Sequence, residues 1–132
     1  MKKTYQGSCH CGTVRFEADL DLAQGTFKCN CSICFKTRAW LAGIPADSFR
    51  LVAGEQSLRD YQFGKKSLHH PFCIECGVRP FSRGADAKGN RFYAVRLNCL
   101  DGAEPRELIE APVKHFDMAH DSMSAPLETA HL

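Results

Sequence analysis

The grouping of its cysteines is the tightest constraint on how this chain can fold. Seven of its eight cysteines fall into three short clusters. The clusters are a pair (Cys9, Cys11), a triplet (Cys29, Cys31, Cys34) and a second pair (Cys73, Cys76). Thiolates at such spacings are ligands that a four-coordinate zinc ion prefers. The fold must therefore bring cysteines from distant parts of the sequence to common points.

The clusters predict up to two zinc ions in sites of different character. The two pairs together supply four thiolates, which make a closed structural site between an N-terminal strand and the middle of the chain. The triplet supplies three ligands and leaves one position open, as catalytic zinc sites do. We therefore expect a structural zinc on the two pairs and a catalytic zinc on the triplet.

Three other side chains compete for the fourth position of the triplet site. Cys99 follows an apolar strand at residues 92–97 and either completes the site or packs as a small buried hydrophobe. His69 and His70 precede the second pair and are within reach of the site, although such histidines more often cover a metal or face solvent. A fourth thiolate would leave a net charge of −2, which is costly to bury. We expect water or an incoming thiol there, not Cys99.

The remaining pattern predicts short strands and little helix. Residues 13–18 alternate apolar and polar side chains, and side chains two apart on a strand share a face, so Cys9 and Cys11 should point to one ion. Further strands are expected at 25–28, 40–44, 49–52, 58–63 and 90–98, with a helical turn at 32–38. Gly77 directly follows Cys73-x-x-Cys76, which is typical of a zinc knuckle. The tail from Gly102 carries little signal apart from residues 113–117.

Composition narrows the functional classes. The formal net charge is only +2 and no long basic run occurs, so nothing favours nucleic-acid binding. No apolar run approaches a membrane span, and the N-terminus lacks the apolar core of a signal peptide. We therefore expect a cytoplasmic protein without membrane association. In that compartment a high cysteine count indicates metal or redox chemistry rather than disulfides.

Taken in order, these motifs resemble the glutathione-dependent formaldehyde-activating (GFA) enzyme family, which includes the centromere-protein-V-like proteins. The matching segments are Gly7-Ser8-Cys9-His10-Cys11-Gly12, Cys29-Asn30-Cys31-Ser32-Ile33-Cys34, Gly54-Glu55 with Leu58 and Tyr61, and Phe72-Cys73-Ile74-Glu75-Cys76-Gly77. Segments 61–64, 70–73 and 98–102 are most similar to the centromere-protein-V-like branch. We expect one domain over residues 1–132, with a core at about 5–117 and a C-terminal tail at 118–132.

The resemblance implies a compact, mainly β fold of the β-tent (Mss4-like) type, in which a four-cysteine zinc site ties short antiparallel strands. It also implies a structural zinc on the two pairs and a catalytic zinc on the triplet. The implied activity is that of a carbon–sulfur lyase that condenses formaldehyde with glutathione to S-hydroxymethylglutathione. The partners would be a small thiol such as glutathione and a small aldehyde, and we expect a monomer or a homodimer.

The chemistry of an open zinc site agrees with that activity. A zinc-bound thiol loses its proton near neutral pH, and the thiolate is the nucleophile. Candidates for attracting the carboxylates of such a thiol are Lys36, Arg38, Lys65 and Lys66, which otherwise form a solvated face. The alternative function is a non-enzymatic zinc module that binds protein or nucleic acid through purely structural zincs. We rank it second because the basic stripe with interleaved aromatics that would favour nucleic-acid binding is missing.

Overall fold

The computed structural model describes residues 1–132 as a mainly β protein with two short helices. The strands are β1 (Lys3–Ser8), β2 (Arg15–Leu20), β3 (Thr26–Cys29), β4 (Leu41–Pro45), β5 (Phe49–Ala53), β6 (Leu58–Arg59), β7 (Leu68–His69), β8 (Phe72–Cys73), β9 (Phe81–Ala85), β10 (Arg91–Arg96) and β11 (Val113–Phe116). The helices are α1 (Ser32–Thr37) and α2 (Pro105–Glu110), and 3-10 turns lie at Leu22–Gln24, Ala46–Ser48, Glu55–Ser57, Leu97–Cys99 and Met118–His120. Neither helix has the length and apolar character that crossing a bilayer requires.

Three sheets organise the strands. A three-stranded sheet has the order β1-β2-β5, a six-stranded sheet has the order β11-β3-β4-β10-β9-β7, and β6 pairs with β8 alone. Every strand pair is antiparallel except β11 with β3, which is parallel. The mainly β fold expected from the sequence is confirmed, and β11 is its one departure from an antiparallel arrangement. A parallel pair needs a long crossover, which the chain between β3 and β11 provides.

An aromatic stack joins the two larger sheets. Phe16 of β2 is fully buried, and its ring stacks on Phe49 of β5 with centroids 5.4 Å apart. Phe49 stacks in turn on Tyr93 of β10 at 3.9 Å. The same core cluster contains Val95 and Leu97, both fully buried. Apolar burial between the sheets therefore holds the main body of the molecule.

The strand expected at residues 58–63 is much shorter than predicted. Only Leu58–Arg59 is extended in a ladder, and its partner is β8 rather than β5, whose paired neighbour is β2. Beyond this short ladder, Tyr61 and His70 exchange backbone hydrogen bonds of 3.3 and 3.0 Å. Residues 58–61 thus pair with residues 70–73, the chain that leads into the Cys73-x-x-Cys76 knuckle.

Helix α2 was not predicted, although its start carries a sequence signal. Pro105 occupies the first turn, and Glu104 and Glu107 form a capping box in which the Glu104 N–H donates to Glu107 Oε2 at 2.8 Å. The sequence of Pro105 between Glu104 and Glu107 was therefore sufficient to predict the start of a helix. Strands β7 and β9 were also not predicted, because short segments without regular alternation give little periodic signal.

Gly7→Ala should destabilise the fold. A Cβ at Gly7 would overlap the ring of Phe16, which is fully buried. We expect a loss of about 1–3 kcal/mol in the free energy of unfolding, the usual cost of overpacking a core, measured by urea denaturation. Gly43→Ala is the matched control, since a Cβ there meets no atom within 4 Å. Equal effects of the two substitutions would contradict this packing.

Candidate metal centres

The two cysteine pairs meet in space. The Sγ atoms of Cys9, Cys11, Cys73 and Cys76, which we call the tetrad, all lie within 4.8 Å of one another. Cys11 Sγ lies 3.7 Å from both Cys9 Sγ and Cys73 Sγ. Four thiolates around zinc at about 2.3 Å would stand about 3.8 Å apart in a regular tetrahedron. The donor set of the tetrad therefore fits zinc in both chemistry and spacing.

The first pair lies in the turn between β1 and β2, not on a strand. The Gly12 N–H donates to the Cys9 carbonyl at 3.2 Å, and the Cys9 N–H donates to the Val14 carbonyl at 3.0 Å. The Val14 N–H also donates to Cys9 Sγ at 3.3 Å. The expected convergence of Cys9 and Cys11 is confirmed, but the reason given for it was wrong, because the turn brings the sulfurs together rather than the alternation of a strand.

The second pair forms the expected knuckle. The Gly77 N–H donates to the Cys73 carbonyl at 2.7 Å, and the Cys73 N–H donates to the Val78 carbonyl at 3.0 Å. Gly77 has a φ of +80°, a conformation that residues with a Cβ rarely adopt. The tight return of the chain places Cys73 and Cys76 on the same side.

The electrostatics of the tetrad call for a cation. A hydrogen bond from the backbone N–H of Val78 is the main cause that lowers the pKa of Cys76 to about 6, whereas burial raises the pKa of Cys73 to about 11. A buried thiol of this kind ionises beside three others only if a positive charge lies among them.

The triplet forms a second, separate group. The Sγ atoms of Cys29, Cys31 and Cys34, which we call the triad, lie within 4.8 Å of one another. Cys29 ends β3, Cys31 is the N-cap of α1, and Cys34 lies in the first turn of that helix. Residues three apart on a helix share a face, and the Cys31 N–H donates to Cys29 Sγ at 3.2 Å. The predicted helical turn is confirmed, and it directs the sulfurs to one point.

The three thiols of the triad do not ionise equally easily. The hydrogen bonds with Cys29 and then Cys34 lower the pKa of Cys31, whereas those with Cys29 and then Cys31 raise the pKa of Cys34. The cause is proximity: a thiolate at one position disfavours a second beside it. Three thiolates at this spacing need a cation, and the soft donor set again fits zinc.

A family model described as "Glutathione-dependent formaldehyde-activating enzyme" matches residues 4–116. The chain belongs to this GFA family. Its fold is also similar to the crystal structure of a Rhodobacter sphaeroides protein, a Northeast Structural Genomics target. The two chains are 33% identical, with a TM-score of 0.69 and coverage of 83% of this chain and 99% of that one. The resemblance drawn from the motifs is confirmed.

None of the three competing side chains joins the triad of this GFA protein. Cys99 is 8% exposed and belongs to the main apolar core, and burial raises its pKa to about 11. A hydrogen bond joins His69 Nδ1 to the carboxylate of Asp60. The ring of His70 stacks on the ring of Phe63, with the centroids 5.5 Å apart. The expected burial of Cys99 is confirmed, and the triad is a group of three thiols. That Cys99 is not a zinc ligand stays a prediction.

Asn30 connects the triad loop to the C-terminal segment, a role not foreseen from the sequence. Its Nδ2 donates to Asp117 Oδ1 at 2.7 Å, and its Oδ1 accepts from the Ala119 N–H at 2.9 Å. The Asn30 N–H also donates to the Phe116 carbonyl at 3.3 Å. Asn30, which lies between Cys29 and Cys31, therefore links the triad loop to the C-terminal segment through hydrogen bonds and does not contact the sulfurs through its side-chain hydrogen bonds.

The basic residues beside the triad were only partly predicted. Of the four candidate cations, Lys36 and Arg38 line cavities next to α1, whereas Lys65 and Lys66 line neither of those cavities. Two arginines that were not predicted, Arg79 and Arg96, line them instead. The sequence contains one indication for Arg96, because a charged residue between the apolar residues Val95 and Leu97 lies beside the core.

Cys99→Ala should leave the metal content of the protein unchanged. Because the substitution removes one small group from an apolar core, we expect a cost of about 1 kcal/mol in the free energy of unfolding. Elemental analysis of zinc in parent and variant, together with urea denaturation, measures both effects. Loss of one equivalent of zinc would make Cys99 a ligand and contradict its assignment to the core.

Proposed function

We propose that this protein is a zinc-dependent carbon–sulfur lyase of the GFA type, which forms or cleaves the adduct of a thiol with a small aldehyde. The observation that carries the proposal is the difference between the two cysteine groups, one of four thiols and one of three. Four thiolates close a tetrahedral ion, whereas three leave one position for exchange. Family membership supports glutathione and formaldehyde as the first substrates to test.

The proposal assigns each group a role. The tetrad holds a structural zinc, and Cys29, Cys31 and Cys34 hold a catalytic zinc, giving up to two ions per chain. The working unit is one domain over residues 1–132 with its core at about 5–117, as a monomer or homodimer. We place it in the cytoplasm, because thiolate ligands persist best in a reducing compartment.

The reaction is an addition that needs no further reactant. A bond forms between the thiol sulfur and the aldehyde carbon, the sulfur loses its proton and the carbonyl oxygen gains one; the reverse reaction breaks that bond. Zinc at the triad would supply a positive charge that lowers the pKa of the thiol and polarises the aldehyde. The chain itself fixes the positions of the three sulfurs, because Cys29 ends a strand of the six-stranded sheet while Cys31 and Cys34 share a face of α1.

Exchange between free and glutathione-bound formaldehyde, followed by NMR, tests the function. We expect the parent protein to accelerate the exchange and Cys34→Ser, which removes one triad thiol, to abolish the acceleration together with one equivalent of zinc. A parent protein that holds two zinc ions without accelerating exchange would contradict the proposed lyase activity and favour the non-enzymatic interaction module.

Substitutions in the two groups should differ in their effect on stability. Cys76→Ser should lower the melting temperature far more than Cys34→Ser, because the tetrad joins segments 62 residues apart and its metal-binding free energy contributes to folding. Thermal melts monitored by circular dichroism compare the two variants. Similar losses would mean that the division into a structural and a chemical site is wrong.

A further inference from the structure

Two adjoining cavities lie along β9 and β10, at the end of β10 that is farther from α1. Their volumes are about 390 Å³ for the first and about 380 Å³ for the second, within the range of small-ligand sites. Arg83, Arg91 and Tyr93 line both, so one cavity continues into the other, and we call the combined space the distal cleft. Arg91 begins β10, and Arg96, which donates to Thr37 of α1, ends it. An extended strand covers about 16 Å between them, so the cleft is separate from the triad.

Strand pairing places four side chains of the distal cleft on one face of the six-stranded sheet. Arg83 of β9 is opposite Tyr93 of β10, and His69 of β7 is opposite Arg83. Residues directly opposite each other on antiparallel strands share a face, with their Cα atoms about 5 Å apart. Arg91 is two residues from Tyr93 and therefore lies on this face too. The pairing thus brings two guanidinium groups, an imidazole and a phenol into one small area.

The guanidinium of Arg83 lacks the partners that comparable arginines have. Arg83 is half-buried, as are Arg79 and Arg96, and each of those two donates to a backbone carbonyl. Arg50, Arg79 and Arg96 are the arginines whose side chains hydrogen-bond the protein, and neither Arg83 nor exposed Arg91 forms an ion pair. A guanidinium has five N–H donors, and one that is partly desolvated with free donors favours an anionic oxygen acceptor.

The first cavity is positively charged and has no carboxylate in its lining, whereas Glu55 and Asp60 line the second. Asp60 is already engaged by His69, whose Nδ1 hydrogen-bonds its carboxylate. That bond fixes the imidazole and leaves Nε2 without a hydrogen bond to the protein. The cations of Arg83 and Arg91 repel each other, and an anion between them would remove that cost. The favourable place for the anion is the first cavity, away from Glu55.

The second cavity provides an apolar surface beside this anion position. Phe49 and Tyr93 stack with their ring centroids 3.9 Å apart, and both line the cavity. Leu51, Leu58 and Phe81 line it as well. Burial of a hydrocarbon or aromatic group against such a surface is favourable. The two cavities therefore fit the two parts of a ligand that has an oxyanion at one end and an apolar body at the other.

We propose that the distal cleft is a second ligand site, in which Arg83 and Arg91 bind the phosphate group of a small phosphate monoester. A phosphate has three acceptor oxygens and a charge of about −1.5 to −2 at neutral pH, which matches two guanidinium groups with an imidazole beside them. A carboxylate offers two oxygens and one charge, and matches them less well. The apolar body of the ester packs on Tyr93 in the second cavity. No cysteine lines either cavity, so this site does not depend on the lyase activity proposed for the triad.

Titration of the zinc-loaded protein with phenyl phosphate, followed by NMR, tests the site. We expect amide shifts in residues 83–93 and a dissociation constant that Arg83→Gln and Arg91→Gln each raise about tenfold, the usual effect of losing a charge-assisted hydrogen bond. Arg91 is exposed, so its variant tests the site even if Arg83→Gln disturbs folding. Benzoate, which has the same ring and a carboxylate, should bind more weakly than phenyl phosphate.

Arg15→Gln is the matched control, because Arg15 is exposed, forms no ion pair and lines neither cavity of the distal cleft. It removes the same charge and should leave the dissociation constant unchanged. The proposal is overturned if the parent protein fails to bind phenyl phosphate, if the Arg83 and Arg91 variants bind it as well as the parent, or if Arg15→Gln weakens it equally. Amide shifts confined to α1 would place the anion elsewhere and also overturn it. Benzoate binding as tight as that of phenyl phosphate would reject a phosphate as the anionic group.

Discussion

Cys11 and Cys73 are 62 residues apart in the sequence, yet their sulfurs lie 3.7 Å apart, and the arrangement of the whole β1–β2 end depends on this approach. Around it, Cys9, Val14 and Cys73 form a small buried cluster, against which Leu51, Leu58 and Val78 pack. This cluster is much smaller than the main core of 14 buried residues, so apolar burial contributes less here. A metal ion that gathers four thiolates would add its binding free energy to the stability of this corner, as in other small zinc folds.

The triad needs no such ion to keep its backbone in place. Strand β3, which ends at Cys29, is paired on both sides, with β4 and with β11. Asn30 fastens the following loop to Asp117. Only the charges of the sulfurs, not the position of the chain, require a cation there. That difference in support agrees with the proposed catalytic centre, which would keep its shape while one coordination position exchanges.

How far the sequence could predict these features depends on the range of the interactions behind them. The spacing of the cysteines is a local pattern, and it predicted both groups together with the turn of helix at Cys34. It did not reveal the conformation at Cys9 and Cys11, since a two-residue spacing fits a turn as well as a strand. The Asn30–Asp117 hydrogen bond joins residues 87 apart, and no periodicity reports such a contact. The same holds for Arg96 of β10, whose guanidinium donates to the carbonyl of Thr37 on α1, 59 residues earlier in the sequence.

Anomalous diffraction at the zinc absorption edge, from crystals of the metal-loaded protein, tests most directly whether the two cysteine groups differ in kind. We expect two zinc peaks per chain. One should have four sulfur neighbours at about 2.3 Å, and the other should have three, completed by a solvent or ligand atom. A second zinc enclosed by four protein ligands, or a triad that takes up no zinc at saturating metal, would contradict the open site on which the proposed function depends.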